Sequence, residues 1–412
     1  MNLVERHQIH KNHKHYNEID KLAFLSKHLY NATLYIYRQD YIFKGICSNY
    51  FEIQKHFQNN NQKDYRALPT KVSQQTMMNV DHNMKSFIAA LAAYKEDPSK
   101  FKAEPKLCKY KHKETGRAIL VYTKQAISQK QLKLGTIALS GTNIKIKTNV
   151  KNPIEVRIVR LTDCYVVEVV YKYEEPQQKL NQKNKSAIDL GLNNLATLTD
   201  NMGLYPILFN GKPLKSMNHF YNKKKAELQS KLPEKQKASK AIKKLSQKRN
   251  NKVDNYMHNA SRRIINHLVS NNIGILVIGY NKGWKQEVNL GRKNNQNFVD
   301  IPFLKFVNQL KYKATLVGIK TIIIEESYTS KCSFLDLEEI CKHEEYAGKR
   351  HNRLFKSKEG KIIHSDVNGS FNIMRKAFPN EFTTDGIQAV VVQPLRVTPC
   401  EIKSKTYLSM VL

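Results

Sequence analysis

Three acidic positions stand out from a basic chain and could do chemistry together. Asp189 closes an apolar strand start, Ser186-Ala187-Ile188-Asp189, and is followed by Gly191, Asn193 and Asn194. Glu325 and Glu326 stand at the C-terminal end of the apolar run Thr321-Ile322-Ile323-Ile324. Asp366 opens a helical pattern in Ile362-Ile363-His364-Ser365-Asp366-Val367-Asn368-Gly369. In an open α/β sheet, reactive side chains collect at strand C-termini. Carboxylates gathered there repel one another unless cations hold them, and Mg²⁺ is the hard ion that accepts oxygen ligands and water. Two such ions activate water and stabilise the leaving oxygen of a phosphodiester. Each residue also has a plainer use. Ser365-Asp366-Val367 has the form of a helix N-cap, and Glu325-Glu326 that of a solvated strand end.

The charge balance says what such a site would act on. The 412 residues carry 69 Lys plus Arg against 35 Asp plus Glu, a net +34. A field that large suits a polyanion, with nucleic acid first and an anionic membrane surface second. At 41% hydrophobic residues the chain can bury cores, which excludes a wholly disordered basic tail. No apolar run approaches the ~18–20 residues of a membrane span. The start, Met1-Asn2-Leu3-Val4-Glu5-Arg6-His7, lacks a secretory h-region. Six cysteines in a chain of this length make no disulfide framework, so a reducing, cytoplasmic setting is expected.

The elements that must position these residues follow from periodicity. Residues 1–20, with His7, His10, His13 and His15 among lysines, read as a basic strand or arm. Apolar residues at helical spacing mark a helix from Ile19 to Tyr41 and another from Thr70 to Lys95. From Arg117 to Tyr173 the period becomes two, with short strands at Ala118–Tyr122, Lys133-Leu134, Ile137–Leu139, Ile144–Lys147, Ile154–Ile158 and Tyr165–Val170. Such strands with alternating lysines suggest a small barrel that tracks a nucleic-acid backbone. Glu174 to Lys185 reads as a linker. Beyond it come three strands, then helix–strand–helix–strand, an α/β pattern with a mixed sheet. Its helices, 214–272, are dense in cations: Lys223, Lys224, Lys225, Lys235, Lys237, Lys240, Lys243, Lys244, Lys248, Arg249, Arg262 and Arg263. Residues 377–412, with Val390-Val391-Val392 and Pro394, read as an extended tail.

Several segments resemble one family in the right order. Ala187-Ile188-Asp189-Leu190-Gly191-Leu192-Asn193-Asn194 is similar to the first RuvC motif of the transposon-encoded TnpB (OrfB) family. Gln309 to Ala314 with Gly318, then Tyr328-Thr329-Ser330-Lys331-Cys332, resembles that family's segment before its zinc ribbon. Asp366-Val367-Asn368-Gly369-Ser370-Phe371-Asn372-Ile373 resembles its third RuvC motif, and Leu68-Pro69 with Val72, Gln74 and Gln75 its recognition-lobe helix. The resemblance implies an RNA-guided, Mg²⁺-dependent DNA endonuclease of an insertion sequence, with two metal ions on Asp189, Glu326 (or Glu325) and Asp366. It implies a multidomain α/β protein. An OB- or wedge-like barrel (1–20 and 106–180) carries a helical recognition lobe (21–105), and an RNase H-like RuvC domain follows at 186–376. The partners implied are a guide RNA from the transposon end and double-stranded target DNA in a prokaryotic, nucleoid-associated setting. The cationic helices Lys223–Lys225, Lys240–Arg249, Arg262 and Arg263 become part of the channel for the guide–target heteroduplex.

Two departures from the family pattern matter. Between Thr329 and Asp366 the only cysteines are Cys332 and Cys341, without the paired spacing that tetrahedral Zn²⁺ wants. Packing and hydrogen bonds, rather than structural zinc, are therefore expected to hold 329–365. The family's usual glutamate at the end of the fourth strand is missing, because Ile278-Gly279-Tyr280-Asn281 stands there. Either the site is broken or Glu326 reaches in from the neighbouring strand, over a glycine that cannot block it. The rival readings are a nuclease-inactive RNA-guided DNA-binding protein and a transposase or its accessory.

Overall fold

Residues 1–174, 180–234, 236, 238–281, 283, 296, 299–382 and 393–399 are described by the computed structural model. Lys235, Lys237 and Val390–Val392 lie outside them. Contacts divide the chain into Met1–Glu174 and Glu175–Leu412.

The first unit contains β1 (Asn2–His10), α1 (Tyr16–Lys44), α2 (Tyr50–Asn59), α3 (Lys63–Arg66), α4 (Thr70–Glu96), β2 (Leu120–Thr123), α5 (Gln129–Lys133), β3 (Thr136–Ala138), β4 (Lys145–Lys147), β5 (Pro153–Arg160) and β6 (Cys164–Lys172). Helix α1 ends where Gly45 turns left-handed (φ 68°) and donates back to the Tyr41 carbonyl. Its Leu29 and Leu34, with Val72 and Val80 of α4, are fully buried, each contributing roughly 1.5–3 kcal/mol. Ser26 and Thr76 share a hydroxyl bond of 2.9 Å, and Tyr37 donates to Asp81 at 2.8 Å, which locks the register of the two helices.

The strands of this unit differ from a closed barrel. Among the described residues they form a four-stranded sheet, β1-β6-β5-β2, and a separate ribbon, β3-β4. Lys133-Leu134, expected as strand, ends the short helix α5 capped by Ser128. Two apolar-polar residues are too few to distinguish a period of two from 3.6.

The second unit contains β7 (Asn181–Leu190), β8 (Asn194–Asp200), β9 (Ile207–Asn210), α6 (Lys212–Gln229), α7 (Lys240–Ser270), β10 (Ile273–Gly279), α8 (Phe303–Leu316), β11 (Lys320–Ile324), β12 (Lys349–His351), β13 (Leu354–Lys356), β14 (Ile362–His364), α9 (Ser365–Ala377) and β15 (Leu395–Val397). Residues 181–185, read as linker, are therefore strand. The six-stranded sheet runs β11-β10-β7-β8-β9-β15. β10 lies parallel to both β7 and β11, β8 antiparallel to β7 and β9, and β15 parallel to β9.

Alternation decides what each face meets. Ile188, Leu198, Phe209, Leu276 and Ile278 share a buried core with Tyr256 and Ile264 of α7 and Phe306 and Leu310 of α8. Ala187, Ile275 and Val277 point the other way, onto Ile373 and Met374 of α9. There Ser370 donates to the carbonyls of Ala187 and Thr197 at 3.0 and 3.1 Å. The segment from Thr329 to Asp366 packs on α9 through aromatic rings, with Phe334 stacked on Phe371 at 4.4 Å. Asn368 and Asn372 of α9 both donate to the Cys332 carbonyl, at 2.9 and 2.7 Å.

Candidate active site

Asp189 sits near the end of β7, on the face that α9 covers, because it alternates with Ile188 and Leu190 of the opposite core. A Cβ added to Gly369 of α9 would stand 3.0 Å from the Asp189 Oδ2, so the helix lies close against this carboxylate. Asp366 stands in the first turn of α9, where the helix dipole favours an anion. It is not the N-cap: His364 holds that place and accepts from the Asp366 N–H. The Asp366 carboxylate instead accepts from Asn194 at 2.7 Å and faces the Arg350 guanidinium at 3.5 Å.

Glu325 and Glu326 diverge just past β11, which ends at Ile324. Glu325 turns to solvent, bonds to the Ser327 hydroxyl and pairs with Lys376 at 3.3 Å. Glu326 turns inward. Its N–H donates to the Asn281 side chain at 2.8 Å, and its Oε2 is buried without a hydrogen-bond partner. A Cβ on Gly279 would meet that Oε2 at 2.7 Å, so the carboxylate lies directly over the glycine of the intervening strand.

Asp189, Glu326 and Asp366 line one cavity of about 560 Å³, together with Asn193, Asn194, Thr197, Asn281, Thr329, Arg350 and Arg353. Glu325 does not line it. Burial first, then the charges of Glu326 and Asp366, push the Asp189 carboxyl well above the usual range, against the pull of Arg350. Glu326 is pushed up to about 7, mainly by burial and then by Glu325, with Lys376 opposing. Glu325 itself is held low by Ser327 and Lys376.

The donor set is all oxygen, the chemistry that Mg²⁺ prefers. An unpartnered buried carboxylate oxygen is what a cation would satisfy. Among the described residues, however, no three His, Cys, Asp or Glu side chains are grouped tightly enough to ligate one ion as they stand. Asp366 is turned toward Asn194 and Arg350. The acids therefore fit a hard cation by donor type and by the Glu326 orphan, with Asp366 engaged elsewhere.

None of the ten cationic residues expected to bind nucleic acid lines the cavity. Lys223, Lys224 and Lys225 lie on α6, and Lys240, Lys243, Lys244, Lys248, Arg249, Arg262 and Arg263 on α7. The core residues of α7 pack on the sheet face opposite the acids. Lys224 pairs with Glu227 at 2.8 Å, and Arg249 covers the Tyr221 ring and faces Asp300, whereas Lys223, Lys243, Lys244, Lys248 and Arg262 are exposed. Asn281 and Arg350 were not legible as site residues. They act across 45 and 16 residues of sequence, and no motif joins them to their partners. Among the described residues no helix is long and apolar enough to cross a membrane.

Comparisons agree with the resemblance drawn from the motifs. Residues 168–285 match the OrfB_IS605 family, described as a probable transposase, and residues 303–373 match the Cas12f1-like TNB domain. No curated protein matches the chain. Among solved structures it is similar to a Cas12f1–sgRNA–target DNA complex at 12% identity and a TM-score of 0.37, covering 90% of this chain and 98% of that one. It is also similar to CasPhi-2 (Cas12j) bound to crRNA at 11% identity and 0.46, covering 93% and 99%. The mini-RNA-guided endonuclease CRISPR-Cas_phi3 matches at 9% identity and 0.46, covering 96% and 94%.

Proposed function

We propose that this chain, with its OrfB segment at 168–285 and its Cas12f1-like segment at 303–373, is an RNA-guided DNA endonuclease of an insertion sequence. The observation that carries the reading is the Glu326 carboxylate over Gly279, in the cavity that Asp189 and Asp366 also line. A glutamate just past the outer strand β11 thereby supplies the third acid that the β10 strand lacks. The sheet order and α9 fit an RNase H-like, RuvC-type nuclease domain at 186–376.

Mg²⁺, two ions in this reading, would be held by Asp189, Glu326 and Asp366 and would supply an activated water and charge for the leaving oxygen. The chain's own residues do the rest. Asp189 and Glu326 would both be ionised to serve, and burial works against that in each. Asn281 fixes the Glu326 backbone, and Asn194 orients Asp366. Arg350 neutralises Asp366 and offers a guanidinium at the cavity for a phosphate.

Guide RNA from the element's end and the target duplex are the partners that +34 charges would neutralise. The helical lobe and strands of residues 1–180 grip RNA and read a short flanking motif. The exposed cations of α6 and α7, behind the sheet, hold the heteroduplex through its phosphates. One observation favours a second reading, in which the chain binds guided DNA without cutting: Asp366 is paired with Arg350 rather than grouped with the other acids. The deciding experiment incubates the protein and its co-expressed RNA with Mg²⁺ and a target flanked by randomised sequence. Cut, motif-enriched products support the nuclease, and motif-enriched binding without cuts supports the second reading.

A further inference from the structure

The C-terminal segment beyond residue 377 falls outside both family matches, yet part of it belongs to the sheet. Strand β15 pairs with β9, its Leu395 N–H donates to the Pro206 carbonyl at 2.8 Å, and Thr398 receives Asn210 at 3.2 Å. Val397 packs into the core under α7 and α8. Its neighbour Arg396 must then face the other side, because alternate residues of a strand do.

Register places Arg396 in a row with the acids. Asp189 pairs with Thr197, Thr197 with Leu208, and Leu208 with Arg396. Paired residues share a face, so the guanidinium and the Asp189 carboxylate stand on one surface, three strand spacings or about 14 Å apart. Covering the edge of β9 explains the strand. It does not explain an exposed arginine on the acid face with no hydrogen bond or ion pair among the described residues. Arg350 and Arg353 line the cavity of the acids on the same face.

We propose that Arg396 is a phosphate-binding residue for the strand being cut, making β15 part of the nucleic-acid interface. This deepens the nuclease reading and rests on it for the word "cut". A stacked strand rises ~3.4 Å per nucleotide, so the straight-line separation equals about four phosphates, and the strand must pass around the cluster that buries Leu208.

The test uses the full chain with the RNA it carries, in EDTA, and a twelve-residue single strand of 4-thiothymidine as photocross-linking probe. Cross-links are expected within residues 393–399, reduced several-fold in Arg396→Gln and retained in Arg396→Lys. In guided cleavage, Arg396→Gln should raise KM several-fold and leave kcat within about twofold. Cross-links absent from 393–399, or equal in Arg396→Gln and the parent, overturn the proposal. The EDTA arm needs no cleavage, so a chain that cuts nothing fails the nuclease reading alone.

Discussion

The carboxylate of Glu326 passes over Gly279 so closely that a single methyl group there would come within 2.7 Å of its Oε2 and 2.5 Å of Ile373 Cδ1. The missing side chain on β10 and the acid beyond β11 are thus one arrangement. Gly279→Ala should destabilise the fold by about 1–3 kcal/mol, as overpacking does, and cut activity far more than stability. Adding Ile373→Val relieves the crowding against the helix but not against the carboxylate. The double variant should therefore regain melting temperature without regaining activity.

The divergence of the neighbouring glutamates gives a paired test. Glu325 is exposed and bound to Ser327 and Lys376, so Glu325→Gln should cut like the parent within about threefold. If Glu325→Gln is the dead variant and Glu326→Gln the active one, the cavity has been assigned to the wrong residue.

Asn281 touches the backbone of Glu326 and acts through it. Asn281→Ala removes one hydrogen bond, worth about 1 kcal/mol, and should lower kcat roughly tenfold with KM unchanged. Asn281→Asp keeps the acceptor but sets another negative charge beside Glu326. It should move the acid limb of the pH–rate profile upward, which a merely structural role would not do.

The raised carboxyl groups predict how the chelated protein responds to pH. Glu326 titrates near 7 in the fold against an ordinary 4.5. The folded chain then binds more protons than the unfolded one across that window, and stability falls as pH rises through it. The size for Glu326 is roughly 3 kcal/mol. Asp189, raised by burial and then by the charges of Glu326 and Asp366, acts in the same sense, whereas Glu325, held low by Ser327 and Lys376, acts in the opposite one. Melting temperature measured in EDTA should drop between about pH 5 and 7, and Glu326→Gln should flatten the curve. Mg²⁺ should restore the loss, since a cation favours the charged forms.

Most of what could be read in advance rests on long periodic runs. The helices over Tyr16–Lys44 and Thr70–Glu96 were legible because burial on one face imposes its period on the sequence, and the strands around Asp189 and Gly274–Ile278 because burial on both faces leaves a short apolar run. The order that puts β10 between β7 and β11 was expected from the family resemblance instead. The open sheet of the first unit was not legible, because alternation is the same in a sheet and in a barrel. Strand β15 was hidden because three residues carry no period, and its place depends on β9 nearly two hundred positions earlier. Asn281 and Arg350 are polar residues whose only signal is a partner distant in sequence.

Residues 329–365 are held by Phe334, Phe355, Ile363 and Phe371 and by the asparagines of α9. Phe334→Ala should cost about 3–5 kcal/mol. A zinc-selective chelator added in the presence of Mg²⁺ should leave the melting temperature unchanged. A chelator-induced drop under those conditions would mean that a metal, not the aromatic stack, organises the segment.

The most direct measurement compares the parent with Glu326→Gln in one assay: RNA-loaded protein, Mg²⁺, and a duplex matching the guide beside the selected flanking motif. Losing one charged ligand removes several kcal/mol of transition-state stabilisation, on the order of a thousandfold in rate. The account predicts cleavage by the parent, loss of that order in Glu326→Gln, and equal guided binding by both. Equal cleavage rates in the two proteins, or a parent that binds the target and never cuts it, would contradict it.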